Sequence, residues 1–399
     1  MREANINTFA PISHAITTTH QELPRLTKGA SIIVAGAGAF GGWASLFLLR
    51  QGFKVTLVDP WGGGNSRSSS GDDSRVIRST YGANKTYFDL NVRALQLWKE
   101  YETSFNSKVF HNTGVLWFCY ESSTPLVDDS LAFADEHQMH YTYLSVDALA
   151  EQYPLLNTND LHHAYFDPFG GFLKAREATM AVQSLFEKEG GTYKQQNVIP
   201  PGVHGPIDAV MLDNGEELRA DLYLFACGSW LGKLFPDVLG EVITCTKQEV
   251  YYFGTPADSA LTFDQIPVWV DVDGSDFYYG IPQNAGRGFK LGVDIRGELF
   301  DPTSGDRTIT PDVFAKARSF LAHRFPGLAN APLLEHRTCP YESSIDGNFI
   351  FDVHPTAANV LFLGGGSGHG FKHGPALGEL VAQILAGEKK CPDLFRLKR

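Results

Sequence analysis

The chain has 399 residues, 43% of them hydrophobic and 12% aromatic, so it can bury a sizeable core as two domains or as one domain split by insertions. Its 33 basic and 45 acidic residues give a formal net charge of −12, which argues against nucleic acid or an anionic membrane as a partner. The five cysteines are widely spaced, without a CxxC motif or a Cys/His cluster at zinc spacing, so the sequence indicates neither a disulfide framework nor a metal site and favours a reducing compartment.

The two ends of the sequence favour a cytoplasmic location. Residues 1–28 lack the apolar core of a signal peptide and are expected to form a poorly ordered or strapping extension. The final RLKR is not a peroxisomal signal, and no apolar run approaches the roughly 20 residues of a membrane span.

Residues 31–60, SIIVAGAGAFGGWASLFLLRQGFKVTLVDP, have the pattern of a strand, a tight turn, a helix and a second strand. A short apolar run of strand type is followed by Gly36, Gly38 and Gly41 in G-x-G-x-x-G register. An apolar helix comes next, and the second buried strand ends in Asp59. This stretch predicts a βαβ unit that binds a dinucleotide.

The chemistry of a dinucleotide accounts for each of these residues. Gly36 permits the turn, Gly38 lets the backbone approach a pyrophosphate, and Gly41 lets the helix and strand pack closely. The unpaired N–H groups at the helix N-terminus favour the phosphates. Asp59 stands where a carboxylate would accept hydrogen bonds from ribose hydroxyls. Glycines that only permit tight packing are the alternative, and this stretch leaves NAD and FAD both open.

Helical and strand-like patterns continue along the rest of the chain. The predicted helices cover residues 86–102, 146–154, 179–191 and 310–328. The predicted strands cover residues 192–200, 221–230, 249–255, 267–273, 276–282 and 288–296. Because the later strands do not alternate with helices, we expect a nucleotide domain that is interrupted twice by a sheet-rich second domain.

A second glycine-rich turn occurs within residues 358–387, again between a strand and a helix. Pro375 suits the first helical turn, so residues 368–372 would lie just before the positive helix end, with Lys372 beside it. Such a site would stabilise negative charge on a reduced flavin ring, for which a nicotinamide enzyme has less use. An ordinary strand–helix turn is the alternative.

Seven stretches together resemble the monomeric sarcosine oxidase family, which includes N-methyltryptophan and pipecolate oxidases, within the glycine/D-amino-acid oxidase superfamily of flavoenzymes. They are GAGAFGG (36–42), GDDSRVIRSTYG (71–82), NTGVLWF (112–118), ACGSW (226–230), YYGIPQNAGRGFKLG (278–292), TCPYESSIDGNFIFDVHP (338–355) and GSGHGFK (366–372). They follow the family order over nearly the whole chain after residue 28, and the combination is far more specific than any one motif.

The resemblance implies an α/β fold in which a Rossmann-type FAD-binding domain is interleaved with a second, α+β substrate domain. The sheet of the substrate domain is expected to be mostly antiparallel and to cover the flavin. The expected FAD-binding domain comprises residues 29–110, 171–243 and 343–390, and the expected substrate domain comprises residues 111–170 and 244–342. The family also implies a monomer that acts on a small amino acid and O2.

Cys339 stands where these oxidases join a cysteine sulfur to the 8α carbon of the flavin, so the resemblance implies a covalent FAD. A thiolate is the nucleophilic form of cysteine, and nearby cations would favour it. A buried thiol that packs as a small hydrophobe is the alternative. The resemblance further implies cofactor contacts from Gly36, Gly38, Gly41, Asp59, Ser69, Ser70, Arg75, Val198, Gly228, Trp230, Gly368, His369, Gly370, Phe371 and Lys372.

The family's substrate-binding residues match four positions of this chain. Arg78 and Lys372 match two cations that bind the substrate carboxylate, a group that suits an arginine fork with an ammonium. Tyr279 and Tyr341 match tyrosines that line the substrate pocket. The alternatives are an ion pair between Arg78 and the neighbouring acids of GDDSR, and ordinary sheet tyrosines.

Two further cations are expected to take part in catalysis. Arg75 matches the arginine that packs near the flavin ring. Lys290 matches the lysine near the flavin that assists oxygen reduction, where a fixed cation would stabilise developing superoxide.

Asp294 departs from the family pattern, because sarcosine-specific relatives have a histidine four residues after this lysine. An acid beside the substrate amine would favour a cationic or polar side chain over a bare N-methyl group. It could equally pair with Arg296 or Lys372 and leave the substrate unaffected. Glu342, next to Tyr341, is a second candidate acid.

The sequence and the resemblance together predict an FAD-dependent amine oxidase. It would bind a small amino acid with a secondary or N-methyl amine, oxidise the C–N bond to an imine by moving a hydride equivalent to flavin N5, and reduce O2 to H2O2. The amine must be neutral to react, but no residue is an obvious general base. The alternatives are a flavin-dependent amino-acid dehydrogenase with a non-oxygen acceptor, a biosynthetic imine-forming oxidase, a nicotinamide enzyme and a non-catalytic FAD protein.

Overall fold

The fold is described by a computed structural model that covers residues 21–121, 125–256, 259–273 and 276–397. The strands are β1 (Ser31–Ala35), β2 (Lys54–Val58), β3 (Ser74–Ile77), β4 (Phe110–His111), β5 (Val115–Cys119), β6 (Thr142–Ser145), β7 (His163–Asp167), β8 (Gly171–Lys174), β9 (Thr192–Lys194), β10 (Val210–Met211), β11 (Glu217–Leu218), β12 (Leu222–Phe225), β13 (Ile243–Phe253), β14 (Val268–Asp273), β15 (Asp276–Ile281), β16 (Phe289–Val293), β17 (Leu333–Ser344), β18 (Ile350–His354) and β19 (Ala357–Gly364).

The helices lie between these strands; four of them overlap the predicted helical stretches, and two follow the glycine-rich turns. They are α1 (Ala39–Arg50), α2 (Lys85–Phe105), α3 (Pro125–Glu136), α4 (Val146–Gln152), α5 (Ala175–Lys188), α6 (Leu231–Leu234), α7 (Pro236–Leu239), α8 (Pro311–Arg324) and α9 (Gly374–Leu385). Within the described ranges, no helix has both the length and the apolar character needed to cross a membrane.

A six-stranded sheet contains the predicted βαβ unit. Its strand order is β18-β19-β12-β1-β2-β9, and every neighbouring pair is parallel except β18 with β19. Helices α1, α2, α5 and α9 pack on one face, and α6 and α7 pack on the other. Strands that are covered on both faces are mostly apolar, as the runs in 31–35 and 54–58 are.

An eight-stranded sheet forms the second layer, and its strands are mostly antiparallel, as predicted. The order is β17-β13-β16-β15-β14-β5-β7-β6, with β14 parallel to β5 and the other pairs antiparallel. Helices α4 and α8 cover one face. The opposite face packs against a small sheet of order β3-β8-β4. The α/β fold class with a second, mostly antiparallel sheet is therefore confirmed.

The structure differs from the sequence prediction in several places, among them helices α6 and α7 and the long strand β17, which were not predicted. Only Thr192–Lys194 of the predicted strand 192–200 is a strand, because residue 198 forms one isolated bridge before two prolines, which cannot donate to a sheet. The small sheet β3-β8-β4 was not predicted, since its strands have only two to four residues and little periodicity. Helix α3 was not predicted either.

The described part of the predicted N-terminal extension is a strap. Leu23 and Leu26 pack against the core beneath the six-stranded sheet, and the Leu26 N–H donates to the carbonyl of Leu385 at 2.8 Å. Residues 1–20 of that extension lie outside the described ranges. The predicted domain boundaries stay a prediction, although the chain passes from the six-stranded to the eight-stranded sheet through α6 and α7, and returns through the short turn between β17 and β18.

Candidate active site

A cavity of about 480 Å³ runs along the carboxyl ends of the central strands of the six-stranded sheet. Ala35, Val58 and Leu363, at the ends of β1, β2 and β19, line it. In open parallel sheets, ligands bind at this edge, at the point where the strand order reverses beside β1. The volume is in the range of small-molecule and cofactor sites.

The glycine turn between β1 and α1 forms the floor of this cavity. Gly36 has a φ of +107°, and a Cβ atom on it would lie 2.3 Å from the carbonyl oxygen of Ala226. A Cβ atom on Gly41 would lie 1.9 Å from the Gly36 oxygen. Only glycine fits these two positions, so the predicted close packing of turn, helix and strand is confirmed.

Asp59 fastens the end of β2 to this turn. Its carboxylate accepts hydrogen bonds from the backbone N–H groups of Ala37 at 2.9 Å and of Trp61 and Gly62 at 2.8 Å each. Burial raises the pKa of Asp59, and these three hydrogen bonds oppose that shift. The carboxylate lines the cavity, where the ribose contact stays a prediction.

Most residues that the sequence assigns to the cofactor line this larger cavity. They are Gly36, Gly38, Asp59, Ser69, Ser70, Arg75, Val198, Gly228, Trp230, Gly368, Gly370 and Phe371. Gly41 lies beneath the turn, and His369 and Lys372 line a smaller cavity instead. The Ser70 hydroxyl accepts a hydrogen bond from the N–H of Ala39 in the first turn of α1 at 3.0 Å.

The smaller cavity, of about 70 Å³, adjoins the larger one. It shares Arg75, Tyr341, Gly368 and Phe371 with the larger cavity. The predicted substrate residues Arg78, Tyr279, Tyr341, Asp294 and Lys372 all line it. The fold thus brings together five residues that are spread over almost 300 positions of the sequence.

Arg78 and Lys372 place two cations in this pocket. The guanidinium of Arg78 lies 4.9 Å from the ring centre of Tyr81 and 5.2 Å from that of Trp117, and it donates to the carbonyl of Thr80. The Lys372 ammonium donates to the carbonyl of His369 at 2.9 Å. Burial lowers the pKa of Lys372, and the charge of Arg78 lowers it further. An anion in the pocket would relieve both effects.

The alternative partners of Arg78 are used elsewhere. Asp72 binds Lys290 and Arg75, and Asp73 binds Arg287 at 3.1 Å. The ion pair between Arg78 and the acids of GDDSR is therefore absent from the described structure.

Asp294 adds one carboxyl group to the same pocket. Its Oδ1 atom is buried and has no hydrogen-bond partner among the described residues. Burial raises the pKa of Asp294, while Arg296, Arg78 and Lys372 oppose that shift. The pocket therefore combines two cations with an unoccupied acceptor, which is a complement to a zwitterion.

Lys290 and Asp72 form an ion pair behind the two cavities, and neither residue lines them. The Lys290 ammonium lies 2.5 Å from Asp72 Oδ2 and donates to the Ser74 carbonyl at 2.6 Å. Arg75 donates to the same carboxylate oxygen. Burial would raise the pKa of Asp72, but the charges of Lys290 and Arg75 hold it well below its usual range.

Cys339 lies on β17 in contact with Arg75. Arg75 Nη2 is 3.2 Å from the Cys339 sulfur and 2.8 Å from the carbonyl of Ser69. The side chain of Cys339 is buried and lines neither cavity, but its neighbours Arg75, Ser69 and Tyr341 line the larger one. The guanidinium of Arg75 therefore places a fixed positive charge in contact with this sulfur.

Glu342, the second candidate acid of the sequence prediction, lines the larger cavity rather than the smaller one that holds Asp294. It lies between the turns that follow β12 and β19, where its Oε1 accepts from the Gly366 N–H at 3.1 Å. Its Oε2 has no hydrogen-bond partner in the described ranges. Burial raises the pKa of Glu342 to about 7, and the Gly366 hydrogen bond opposes the shift. The sequence signal for Glu342 is an acidic residue within a buried strand.

Three side chains beside the cavities were missed by the sequence prediction, namely those of Tyr81, His373 and Trp61. The Tyr81 hydroxyl lies 2.7 Å from His373 Nε2 and 3.2 Å from His369 Nδ1. Burial lowers the pKa of His369 to about 3, so its imidazole is neutral. Trp61 packs against Trp230 at the larger cavity, with 5.3 Å between the ring centres. No group of His, Cys, Asp and Glu suited to a metal ion occurs among the described residues.

Comparison with known proteins gives the following matches. The FAD dependent oxidoreductase family matches residues 31–384. Monomeric sarcosine oxidase of Bacillus sp. (strain B-0618) is 30% identical over 367 residues, which are 91% of this chain and 94% of that protein. N-methyl-L-tryptophan oxidase of Salmonella dublin is 28% identical over 92% of this chain and 98% of that protein. L-proline dehydrogenase from P. horikoshii has a similar fold, with a TM-score of 0.79 at 19% identity over 92% of this chain and 96% of that one.

The raised pKa of Glu342 makes the stability of the flavin-free protein depend on pH. An unfolded Glu has a pKa of about 4.3, so between about pH 4.3 and 7 the folded state binds more protons, and stability falls as pH rises through this window. Glu342→Gln removes the cost of ionisation. We expect the variant to unfold at a higher temperature than the native protein at pH 8, with a smaller gain at pH 5.

Thermal unfolding of flavin-free protein, made under riboflavin limitation, measures this difference. Glu241→Gln, at an exposed position, is the control and should shift the unfolding temperature equally little at both pH values. Equal effects of Glu342→Gln at pH 5 and pH 8 would contradict the assignment.

Proposed function

Because the chain belongs to the FAD dependent oxidoreductase family, we propose that it oxidises the C–N bond of a small secondary or N-methyl amino acid to an imine, with O2 reduced to H2O2. The observation that supports the substrate class most is the pair of cations, Arg78 and Lys372, in a pocket that adjoins the dinucleotide cleft. The relatives named for sarcosine and N-methyl-L-tryptophan act on N-methyl amino acids, which agrees with this chemistry.

The residues along the larger cavity fit an FAD. The bare glycine turn at Gly36 and the first turn of α1 offer backbone N–H groups to a pyrophosphate. Trp61 and Trp230 form an apolar wall, and the free Oε2 of Glu342 offers an acceptor to hydroxyl groups. A bound flavin would supply the redox chemistry, taking two electrons from the C–N bond and passing them to an acceptor.

The smaller pocket would bind the amino acid by its carboxylate. Arg78 offers a planar fork of donors and Lys372 an ammonium, and both are held by backbone carbonyls and aromatic rings. Tyr279 and Tyr341 form the walls. Such fixed charges would orient the reacting C–H and C–N bonds without reorganisation.

We propose that Cys339 is the point of covalent attachment for the FAD. The 3.2 Å contact between Arg75 and the Cys339 sulfur supports it, because Arg75 lines the larger cavity and the sulfur lies directly behind it. Arg75 also lines both cavities, so it would lie beside the flavin ring and the substrate at once.

We propose that Lys290 assists the reduction of O2. It is a buried cation that is fixed by an ion pair and a backbone carbonyl, and a fixed charge stabilises the negative charge that develops on O2. A flavin-dependent dehydrogenase with another acceptor is the second candidate, and oxygen consumption distinguishes the two. A biosynthetic oxidase that retains its imine would differ only in the product.

We further propose that the protein is a cytoplasmic monomer with the two interleaved domains predicted from the sequence. All five cysteines have free thiols, which agrees with a reducing compartment.

Arg78→Met should weaken the binding of an N-methyl amino acid about ten- to hundredfold, because it removes a charge-assisted hydrogen bond worth about 1.5–3 kcal/mol. The rate at which the flavin bleaches without oxygen, measured in a titration with sarcosine and other N-alkyl amino acids, gives the apparent Kd. The same titration with an N-methyl amine that lacks a carboxylate should not respond to the variant. Equal losses for both compounds would contradict the assignment, and the exposed Arg219→Met is the matched control.

Cys339→Ser should convert an acid-precipitable flavin into one that is released. The native protein, precipitated with acid, should give a yellow pellet, and the variant should give a yellow supernatant. Cys391→Ser, which changes a thiol far along the chain from the site, should leave the pellet yellow. A colourless native pellet with a yellow supernatant would return Cys339 to the alternative of a buried spectator thiol.

Lys290→Met should slow the oxidation of the reduced enzyme by O2 about 10²–10³-fold, the effect expected for the loss of one fixed electrostatic contact, with much less effect on reduction by substrate. Stopped-flow absorbance of the flavin resolves the two half-reactions. Lys247→Met, at a second buried lysine of the same sheet, should leave the ratio of the two rates unchanged. Equal slowing of both half-reactions by Lys290→Met would count against the role.

A further inference from the structure

Asp72 is buried behind both cavities, yet it contacts two of the residues to which the proposed function assigns chemistry. We propose that Asp72 is a positioning residue that holds Lys290 in its charged form and Arg75 against Cys339. The inference rests on the proposed function of those residues, but no described contact suggests that Asp72 itself touches substrate or flavin.

The carboxylate of Asp72 is fully enclosed and fully hydrogen-bonded. Its side chain has 0% exposure, and Oδ2 binds the Lys290 ammonium at 2.5 Å and the Arg75 guanidinium. Its Oδ1 accepts from the Tyr252 hydroxyl and from the Asp73 N–H, each at 2.8 Å. Four donors around two oxygens leave this carboxylate one orientation, so both cations are fixed by the same anion.

Lys290 depends on that anion for its charge. Burial lowers the pKa of Lys290 and the charge of Arg75 lowers it further, while Asp72 and Cys339 raise it. Besides Asp72, Arg75 and Lys290 themselves, the titratable and charged groups that face this cluster from the packed elements are Asp73, Tyr252, Tyr279, Arg287, Arg337, Cys339 and Tyr341. Asp73 is already paired with Arg287, which leaves Asp72 as the carboxylate in contact with Lys290.

Arg75 is held by the same carboxylate in a position that reaches the cofactor side. Its Nη1 donates to Asp72 and to the Ser74 carbonyl, which leaves Nη2 to donate to the Ser69 carbonyl and to contact the Cys339 sulfur. A planar guanidinium with one edge bound to Asp72 can point its other edge only toward Cys339. Asp72 thereby connects the oxygen-side lysine with the thiol proposed to bind the flavin.

Asp72→Asn tests the charge with almost no change in volume. The amide keeps an acceptor oxygen, but Lys290 then lies beside Arg75 without an anion in contact, so it should lose its proton at a lower pH. Oxidation of the reduced enzyme by O2 should then fall about tenfold for each pH unit above the new pKa of Lys290, and it should recover on acidification. Lys290→Met, by comparison, should be slow at every pH.

Stopped-flow oxidation of the substrate-reduced enzyme between pH 6 and pH 9 gives this profile. Asp73→Asn is the matched control, since it removes the neighbouring carboxylate from a partly exposed ion pair, and its profile should match the native one. A native profile for Asp72→Asn, or a loss that is the same at every pH, would overturn the assignment of Lys290 to Asp72.

The proposed role of Asp72 in holding Arg75 against Cys339 can be tested without catalytic turnover. In Asp72→Asn the fraction of flavin that precipitates with the protein in acid should fall, while in Asp73→Asn it should stay at the native value. If the fraction of precipitated flavin is unchanged in Asp72→Asn, Asp72 does not hold Arg75 against Cys339.

Unfolding temperatures keep the inference testable if Asp72→Asn is too unstable for kinetics. The combined Asp72→Asn and Lys290→Met variant removes both buried charges, so it should lose less stability than the two single variants together. If the double variant loses as much stability as the two single variants together, the proposed ion pair is contradicted. If Lys290→Met oxidises at the native rate, the proposed role of Lys290 fails instead, and the flavin fraction and the unfolding temperatures still decide the role of Asp72.

Discussion

A fully buried carboxylate needs hydrogen bonds and opposite charges from the protein. Asp72 receives them from groups on three strands. Arg75 comes from the small sheet on β3, Tyr252 from β13 and Lys290 from β16 of the eight-stranded sheet. Leaving a buried charge unpaired costs several kcal/mol, so the small sheet and the eight-stranded sheet are fixed relative to each other at this point. This contact between the two sheets therefore determines the positions of the residues that line both cavities.

The charge of the pocket runs against the charge of the chain. A protein with a net charge of −12 places Arg75, Arg78 and Lys372 around one small cavity, with Asp294 as the acid among them. In a site of low dielectric such charges interact far more strongly than on the surface. Because the lowered pKa of Lys372 arises from burial and from Arg78, a bound carboxylate would raise that pKa again.

Several alternatives that the sequence left open depend on contacts between distant residues. The acids of GDDSR look like partners for Arg78, but they bind Lys290, Arg75 and Arg287. Lys290 lies behind the cavity walls rather than on them, because Asp72 and the Ser74 carbonyl hold its ammonium. Asp59 has the position expected of a ribose acceptor, yet three backbone N–H groups already bind its carboxylate. None of these outcomes has a local sequence signal.

The sequence by itself determined the βαβ unit, the longer helices other than α3 and several strands of the second sheet, since periodicity and turn chemistry act over a few residues. Its glycine turn and its seven motifs were also enough to identify the family, and most of the residues they propose for the site line the two cavities. Only the tertiary structure decided which of those residues meet. Lys290 and Asp72 are 218 positions apart, and Arg75 and Cys339 are 264 apart, so each contact exists only because the sheets pack as they do. The same packing buries Glu342 in the cofactor cleft and leaves Asp294 with a free acceptor, and burial is a property that no short stretch of sequence contains.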